Sequence, residues 1–469
     1  MLNSANILPI RIMEGLKYIL IISLLKTLVH AEDPIIETTS GKINGSTVVV
    51  QNVELDVFLG IPFAKPPVGN LRFRRPEKIE RWSGIKETKE HVAACAQYED
   101  GMLDDIPGAD PWKIKADIKE DCLYLNIWAP TEARKSRSNL TTMIWIYGGG
   151  FISGSSTLGE YDGRWLAVSQ NIIVASLNYR VGPFGFLSLN DERAPGNMGL
   201  LDQNLAIKWI RDNIASFGGD PDKLTLFGES AGAASGTVPI NNSISHKLMK
   251  EVIEPVQLNP TQLDSIFYVY GSNIYSSSET EKYRYVLDQV AGDTMFKCPT
   301  IEFSREWSTH SNVYMYSFDY RSNVSPWPEW MGSPHGSDIY YVFSRALYTT
   351  NSSSEDKEVS ELMSSYFANF SKSGNPNNGD CVDCSNEPWS KFTQQSQKYF
   401  AIDKKPKMKN KDTSMYSVCD FWSDLLPKLK EPSSPVPSGS QNIWTFQGRI
   451  LTTFSSIFFS LVLFWNILC

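Results

Sequence analysis

The stretch Gly228-Glu229-Ser230-Ala231-Gly232 sets a serine between two glycines, in the G-x-S-x-G pattern of a strained strand-to-helix turn that lifts a hydroxyl clear of a sheet. Its surroundings have the required character. Residues 223–227, Lys-Leu-Thr-Leu-Phe, read as a short strand after a Gly218-Gly219-Asp220-Pro221 turn, and residues 231–235 are small enough to start a helix packed tightly on that strand. Ser230 is therefore a candidate nucleophile, and the Ala231 amide a candidate donor to an oxyanion formed at the same spot. Further upstream, Gly148-Gly149-Gly150-Phe151 directly follows a strand-like run at 142–147. Such a loop lets two successive amides approach a ligand with no side chain in the way, which would complete the oxyanion hole.

The elements that must hold these groups are legible as an alternation. Residues 48–50 and 55–59 read as strands, 60–73 as a proline-rich surface loop, and 121–128 as a strand from its apolar alternation. The runs at 142–147 and 172–177 are apolar and β-branched, as central strands of a covered sheet are, and 203–217 carries helical spacing. Strands alternating with helices predict an α/β sheet with its site beyond the carboxyl ends of the strands.

The chain has 469 residues, 42% hydrophobic and 20% charged, and a net charge of −8. That balance disfavours nucleic acid as a partner and allows a cationic ligand. At the N-terminus, Arg11 and Lys17 precede an apolar core at 18–25, with Val29 and Ala31 before Glu32, the layout of a cleaved signal peptide over 1–31; a buried N-terminal helix is the alternative. Six Asn-x-Ser/Thr sites, at Asn44, Asn139, Asn241, Asn323, Asn351 and Asn369, agree with secretion. One domain over 32–430 is expected, then a polar linker over 431–449 and an apolar stretch over 450–469. Small residues at 438–440, a spacer and an apolar tail match a glycosylphosphatidylinositol attachment signal; a retained transmembrane helix is the alternative. The seven cysteines, at 95, 122, 298, 381, 384, 419 and 469, predict disulfides in an oxidising compartment. A local bridge between Cys381 and Cys384 is preferred to zinc, because no second pair stands near them and histidines are few. No cofactor or metal is expected.

Taken together, Glu120-Asp121-Cys122-Leu123-Tyr124-Leu125-Asn126, Trp145-Ile146-Tyr147-Gly148-Gly149-Gly150-Phe151, the Ser230 motif and Trp327-Pro328-Glu329-Trp330-Met331-Gly332 resemble the type B carboxylesterase and cholinesterase family. The resemblance implies an α/β-hydrolase fold, a mixed and mostly parallel sheet flanked by helices. It also implies Ser230 as nucleophile, amides of Gly149, Gly150 and Ala231 as oxyanion hole, and His335, followed by Gly336, as general base. Trp112, Asp100, Glu229, Trp327 and Tyr161 would form a surface for a quaternary ammonium, pointing to acetylcholine or a related choline ester as substrate. Cys95 would pair with Cys122, and Cys298 with Cys419. The terminal signals predict a lipid-anchored protein at the cell surface, and the resemblance implies a synaptic location and a homodimer.

The resemblance also exposes a gap. The family keeps its third catalytic residue, a glutamate, in a stretch of over a hundred residues between the serine and the histidine, whereas here Ser235 passes almost directly into Pro239-Ile240-Asn241-Asn242. That glutamate has no counterpart, and neither do the acyl-pocket aromatics nor the strands after the nucleophile helix, so an incomplete sheet is expected. Glu251, Glu254 and Asp264 lie where the chain rejoins the family pattern, with nothing in their spacing to mark them as substitutes. Three functions are open at this point: an esterase for choline esters with impaired turnover, a broad carboxylesterase, and a catalytically silent ligand-binding or adhesion protein.

Overall fold

Three parallel strands that end level with one another organise the molecule. The structure is a computed structural model that describes residues 33–98, 107–237, 258–271, 279–379, 388–411, 414–429 and 465–466. Its main sheet is built from β1 (Ser46–Val50), β2 (Val53–Pro62), β3 (Tyr124–Pro130), β4 (Leu140–Ile146), β5 (Ile173–Leu177), β6 (Gly219–Gly228) and β7 (Trp465–Asn466). Their order is β7-β6-β4-β5-β3-β2-β1. β4 lies parallel to both β5 and β6, with Ile146 opposite Leu177 on one side and Gly228 on the other. The three chains therefore emerge at one end of the sheet, where the loops after them meet.

The central strands form because their side chains are apolar on both faces and covered on both. Met143, Ile144, Trp145 and Ile146 of β4 and Ile173, Val174, Ala175 and Leu177 of β5 are buried. The Trp145 ring meets Tyr161, Phe227 and Phe343 at centroid distances of 5.0, 4.9 and 5.0 Å, tying β4 to β6 and to the segment after His335. Helix α1 (Arg164–Gln170) and helix α2 (Met198–Asn213) pack on β5 and β6, and α3 (Ala231–Thr237) leaves the carboxyl end of β6.

Beyond α3 the described chain resumes in α4 (Pro260–Gly271), α5 (Glu279–Gly292), α6 (Cys298–Trp307) and the long α7 (Ser354–Ser373). Strands Tyr316–Phe318, Tyr399–Ile402 and Lys407–Lys409 form a sheet of their own. Among the described residues, the outer edge of β6 pairs with Trp465 and Asn466, opposite Leu226 and Thr225, while α7 packs on β4 and β6. Apart from Trp465 and Asn466, residues 450–469 lie outside the described residues, as do 1–32 and the Cys381–Cys384 pair. No described helix is long and apolar enough to cross a membrane.

Two expectations change. Residues 60–63 are not surface loop: β2 runs on to Pro62, with an irregularity between Phe58 and Ile61, and Ile61 and Phe63 are fully buried. Asn369 is not an open glycan acceptor, because its side chain is buried in α7 and its amide donates to the Pro376 carbonyl at 3.3 Å. Asn139, Asn323 and Asn351 are exposed.

The segment that carries His335 is pinned by a carboxylate at the start of α7. Asp356 accepts hydrogen bonds from the Ser353 amide and hydroxyl, the Ser322 hydroxyl, and the Tyr320 and Tyr341 hydroxyls. Burial opposes its ionisation, but these donors outweigh burial and hold the carboxyl below the usual aspartate range. A depressed folded-state pKa gives stability that is complete above about pH 4 and lost as the pH falls through the lowered value. Asp356→Asn is expected to cost about 1–3 kcal/mol in urea unfolding at pH 7, and the gap to the parent should narrow at acid pH. A gap that stays constant down to pH 3 would show that the charge contributes nothing.

Candidate active site

The loop after β4 and the turn after β6 are forced together by missing side chains. A Cβ at Gly232 would lie 2.0 Å from the Ile146 carbonyl oxygen, and one at Gly148 would lie 2.9 Å from Ser230 Cβ. Only glycine permits either approach. Ser230 itself has φ 55°, a left-handed conformation that a non-glycine residue holds only when its surroundings impose it, and it is half-exposed. The turn is fastened by the Gly232 amide to the Glu229 carbonyl at 2.9 Å and the Ala234 amide to the Ser230 carbonyl at 3.0 Å.

Gly149 and Gly150 have φ 105° and 61°, and the Gly149 carbonyl accepts from the amides of Ile152 and Ser153 at 3.0 Å each. Among the described residues, the amides of Gly149, Gly150 and Ala231 donate to no backbone carbonyl. Donors in that state are what a developing oxyanion requires. Below them two tyrosines lock the strand ends: Tyr147 donates to the Tyr179 carbonyl at 2.7 Å and Tyr179 to the Tyr147 carbonyl at 2.9 Å, with the rings stacked 4.4 Å apart. Burial pushes both phenols above their ordinary range, so they stay neutral donors. One residue further, the Arg180 guanidinium grips buried Asp202 of α2 at 2.7 and 2.8 Å, and the Arg180 amide adds a third contact at 3.0 Å.

His335 also reaches this end of the sheet. Its Nε2 lies in ion-pair contact with Oε1 of Glu229, the residue before Ser230, and its ring stands 4.4 Å from that of Phe296. Glu229 is buried, with its other carboxylate oxygen turned toward Gly148. Asp338, three residues on and fully buried, accepts from the Tyr316 hydroxyl at 2.6 Å and caps the short helix Ile339–Val342 with its carbonyl.

Trp112 arrives on the short turn Asp110–Trp112 and lays its indole against Gly336, where a Cβ would sit 3.0 Å from the ring. Tyr161 meets the same indole edge-on at 6.3 Å. Its phenol is held well above the ordinary range, chiefly by burial and then by the nearby charge of Glu229. Trp327 joins through the backbone: Gly108, at the start of the Trp112 turn, lies so close to Pro326 and Trp327 that a Cβ there would fall 2.6 Å from the Pro326 carbonyl. Arg321 fixes this loop by donating to the Trp327 and Gly332 carbonyls at 2.6 and 2.7 Å.

Ser230, Glu229, His335, the 148–150 loop, Trp112, Tyr161 and Trp327 are thus gathered at one end of the sheet. Asp100 lies outside the described residues, as do Glu251 and Glu254, and Asp264 is exposed on α4. Disulfides join Cys95 to Cys122 and Cys298 to Cys419. Three features had no signal in the sequence: the Glu229 contact with His335, Phe296 beside the imidazole, and the reciprocal tyrosine clamp. Each depends on residues brought together by the fold rather than by spacing.

The Carboxylesterase family model matches residues 32–255 and 240–422. The acetylcholinesterase of Bungarus fasciatus is 31% identical, covering 84% of this chain and 86% of its own length. The cholinesterase of Mus musculus is 30% identical over 87% of this chain and 90% of its own, and the acetylcholinesterase of Danio rerio 30% over 85% and 89%. The Bungarus alignment runs to 531 positions, more than the chain's 469 residues, so it holds gaps in this chain. The two matched segments meet just after α3, where the sequence pattern breaks.

Proposed function

This chain belongs to the carboxylesterase family, whose members are serine ester hydrolases, and from that premise we propose that it acts on acetylcholine or a related choline ester in the manner of an acetylcholinesterase. The observation that supports the choline reading best is Trp112 packed on Gly336. An indole face beside the candidate base would hold a quaternary ammonium while the ester carbonyl lies over Ser230.

In this mechanism Ser230 Oγ attacks the acyl carbon as His335 takes its proton, and the carbonyl electrons move onto an oxygen facing the amides of Gly149, Gly150 and Ala231. His335 then returns the proton to the departing choline oxygen. Water repeats the sequence on the acyl-serine and releases acetate. Tyr161, Glu229 and Asp100 complete the cation surface. Secretion through a signal at 1–31, surface attachment by a C-terminal lipid and pairing of two copies belong to the same reading.

Acetylthiocholine and its uncharged dimethylbutyl isostere test it. Trp112→Ala should raise KM for the cationic ester about 2- to 30-fold, the equivalent of roughly 0.5–2 kcal/mol of cation–π attraction, and leave the neutral ester nearly unchanged. Equal losses on both would make Trp112 a packing residue. A second reading, a ligand-binding protein without turnover, is favoured by the break after α3, which removes the expected acid. It predicts saturable tetramethylammonium binding with no hydrolysis of either ester.

A further inference from the structure

We propose that Glu229 is the acid partner of His335 in this chain: its carboxylate, in ion-pair contact with the imidazole, balances the positive charge that the ring gains during acyl transfer. The inference rests on the reading of Ser230 as nucleophile and His335 as base. It gives Glu229 a role beyond contact with a substrate cation.

Placement carries the case. Glu229 is held by the same turn that strains Ser230, and its carbonyl is tied down by the Gly232 amide. Its side chain is buried, with one oxygen toward Gly148 and the other against His335 Nε2. Of the acids considered from the sequence, Glu251 and Glu254 lie outside the described residues. Asp264 is exposed on α4, and Asp338 turns one carboxylate oxygen to the Tyr316 hydroxyl. Phe296, from the turn Asp293–Lys297, stands against the imidazole, and Trp112 stands against the neighbouring Gly336. With water largely excluded by such walls, a carboxylate in contact stabilises an imidazolium far better than solvent at a distance would.

The electron and proton accounting closes on this pair. As the bond from Ser230 Oγ to the acyl carbon forms, the carbonyl π electrons pass to oxygen and the hydroxyl proton passes to Nδ1 of His335, the ring nitrogen opposite the one that meets Glu229. The carboxylate and the imidazole together then change from one negative charge to a neutral ion pair. When the bond from carbon to the leaving oxygen breaks, the imidazolium returns the proton to that oxygen. Water then supplies the proton for the second half. The glutamate acts through His335 and is a positioning residue.

The test uses the full secreted chain as parent, Glu229→Gln and Glu229→Asp, with His335→Ala to identify the imidazole signal in NMR titrations. Glu229→Gln should lower kcat on phenyl acetate, which has no cation, by about 10²- to 10⁴-fold with little change in KM. Glu229→Asp should recover a large part of that loss. The His335 midpoint should fall by about one pH unit or more in Glu229→Gln, because a neighbouring negative charge has gone. If Glu229→Gln keeps phenyl acetate kcat within threefold and raises KM for acetylthiocholine alone, Glu229 is a cation contact and the proposal fails. If the parent hydrolyses neither ester, the enzymatic reading fails instead. The midpoint then decides the pairing: a fall supports it, and an unchanged value overturns it.

Discussion

Ser230→Ala is expected to abolish ester hydrolysis, a loss of about 10⁴-fold or more from whatever rate the parent supports. Ser230 stands at the end of β6 with a left-handed φ of 55°, and among the described residues the amides of Gly149, Gly150 and Ala231 donate to no backbone carbonyl. Alanine leaves those amides and the aromatic walls in place, so binding should survive while the covalent step disappears. A fluorophosphonate probe gives an independent readout, since it needs a reactive oxygen and an oxyanion hole but no alcohol pocket. Mass mapping should put the adduct on Ser230 in the parent and find none in the variant. An adduct on a different serine of folded protein would remove Ser230 from the mechanism.

Asp202→Ala should be among the most damaging changes to stability, costing about 3–5 kcal/mol. Arg180 and Asp202 are both buried, and their bidentate contact joins the loop after β5 to α2. Removing the carboxylate strands a guanidinium where water cannot reach it. That cost exceeds what the intact pair contributes relative to an apolar pair, because ionic groups lose their hydration on burial. Chemical denaturation at neutral pH measures it directly. A change below about 1 kcal/mol would mean that the guanidinium finds another partner or solvent. Because Gly199 of α2 lies so close to the Arg180 carbonyl that a Cβ would come within 2.4 Å, such rearrangement has little room.

Much of the sheet was legible because its strands are short runs of apolar residues with glycine at their ends. The 142–147 run, the 172–177 run and the elbow strand appear within a few residues of their expected bounds. Where the reading slipped, punctuation misled it. Gly60 and Pro62 look like loop residues, yet an irregularity between Phe58 and Ile61 lets β2 absorb them and bury Ile61 and Phe63. Helix α2 begins at Met198, ahead of the expected 203, with Asn197 at its N-cap in the left-handed region making no side-chain cap hydrogen bond. The candidate site was legible through motifs, each a local arrangement of small residues around one functional group. Contacts across the fold were not, and the meeting of Glu229 with His335, over a hundred residues apart, belongs to that class.

The Cys95–Cys122 bridge spans 27 residues, and both Asp100 and Trp112 fall inside that span. Ser230 and the 148–150 loop lie outside it, directly after strands β6 and β4 of the sheet. Two of the residues proposed for the cation surface therefore sit on a piece of chain closed on itself by a covalent tie, whereas the proposed nucleophile and its glycine loop are held by strand pairing. Under the proposed function, residues between the two cysteines can be exchanged to alter part of the alcohol contact while the strand pairing that carries Ser230 stays as it is.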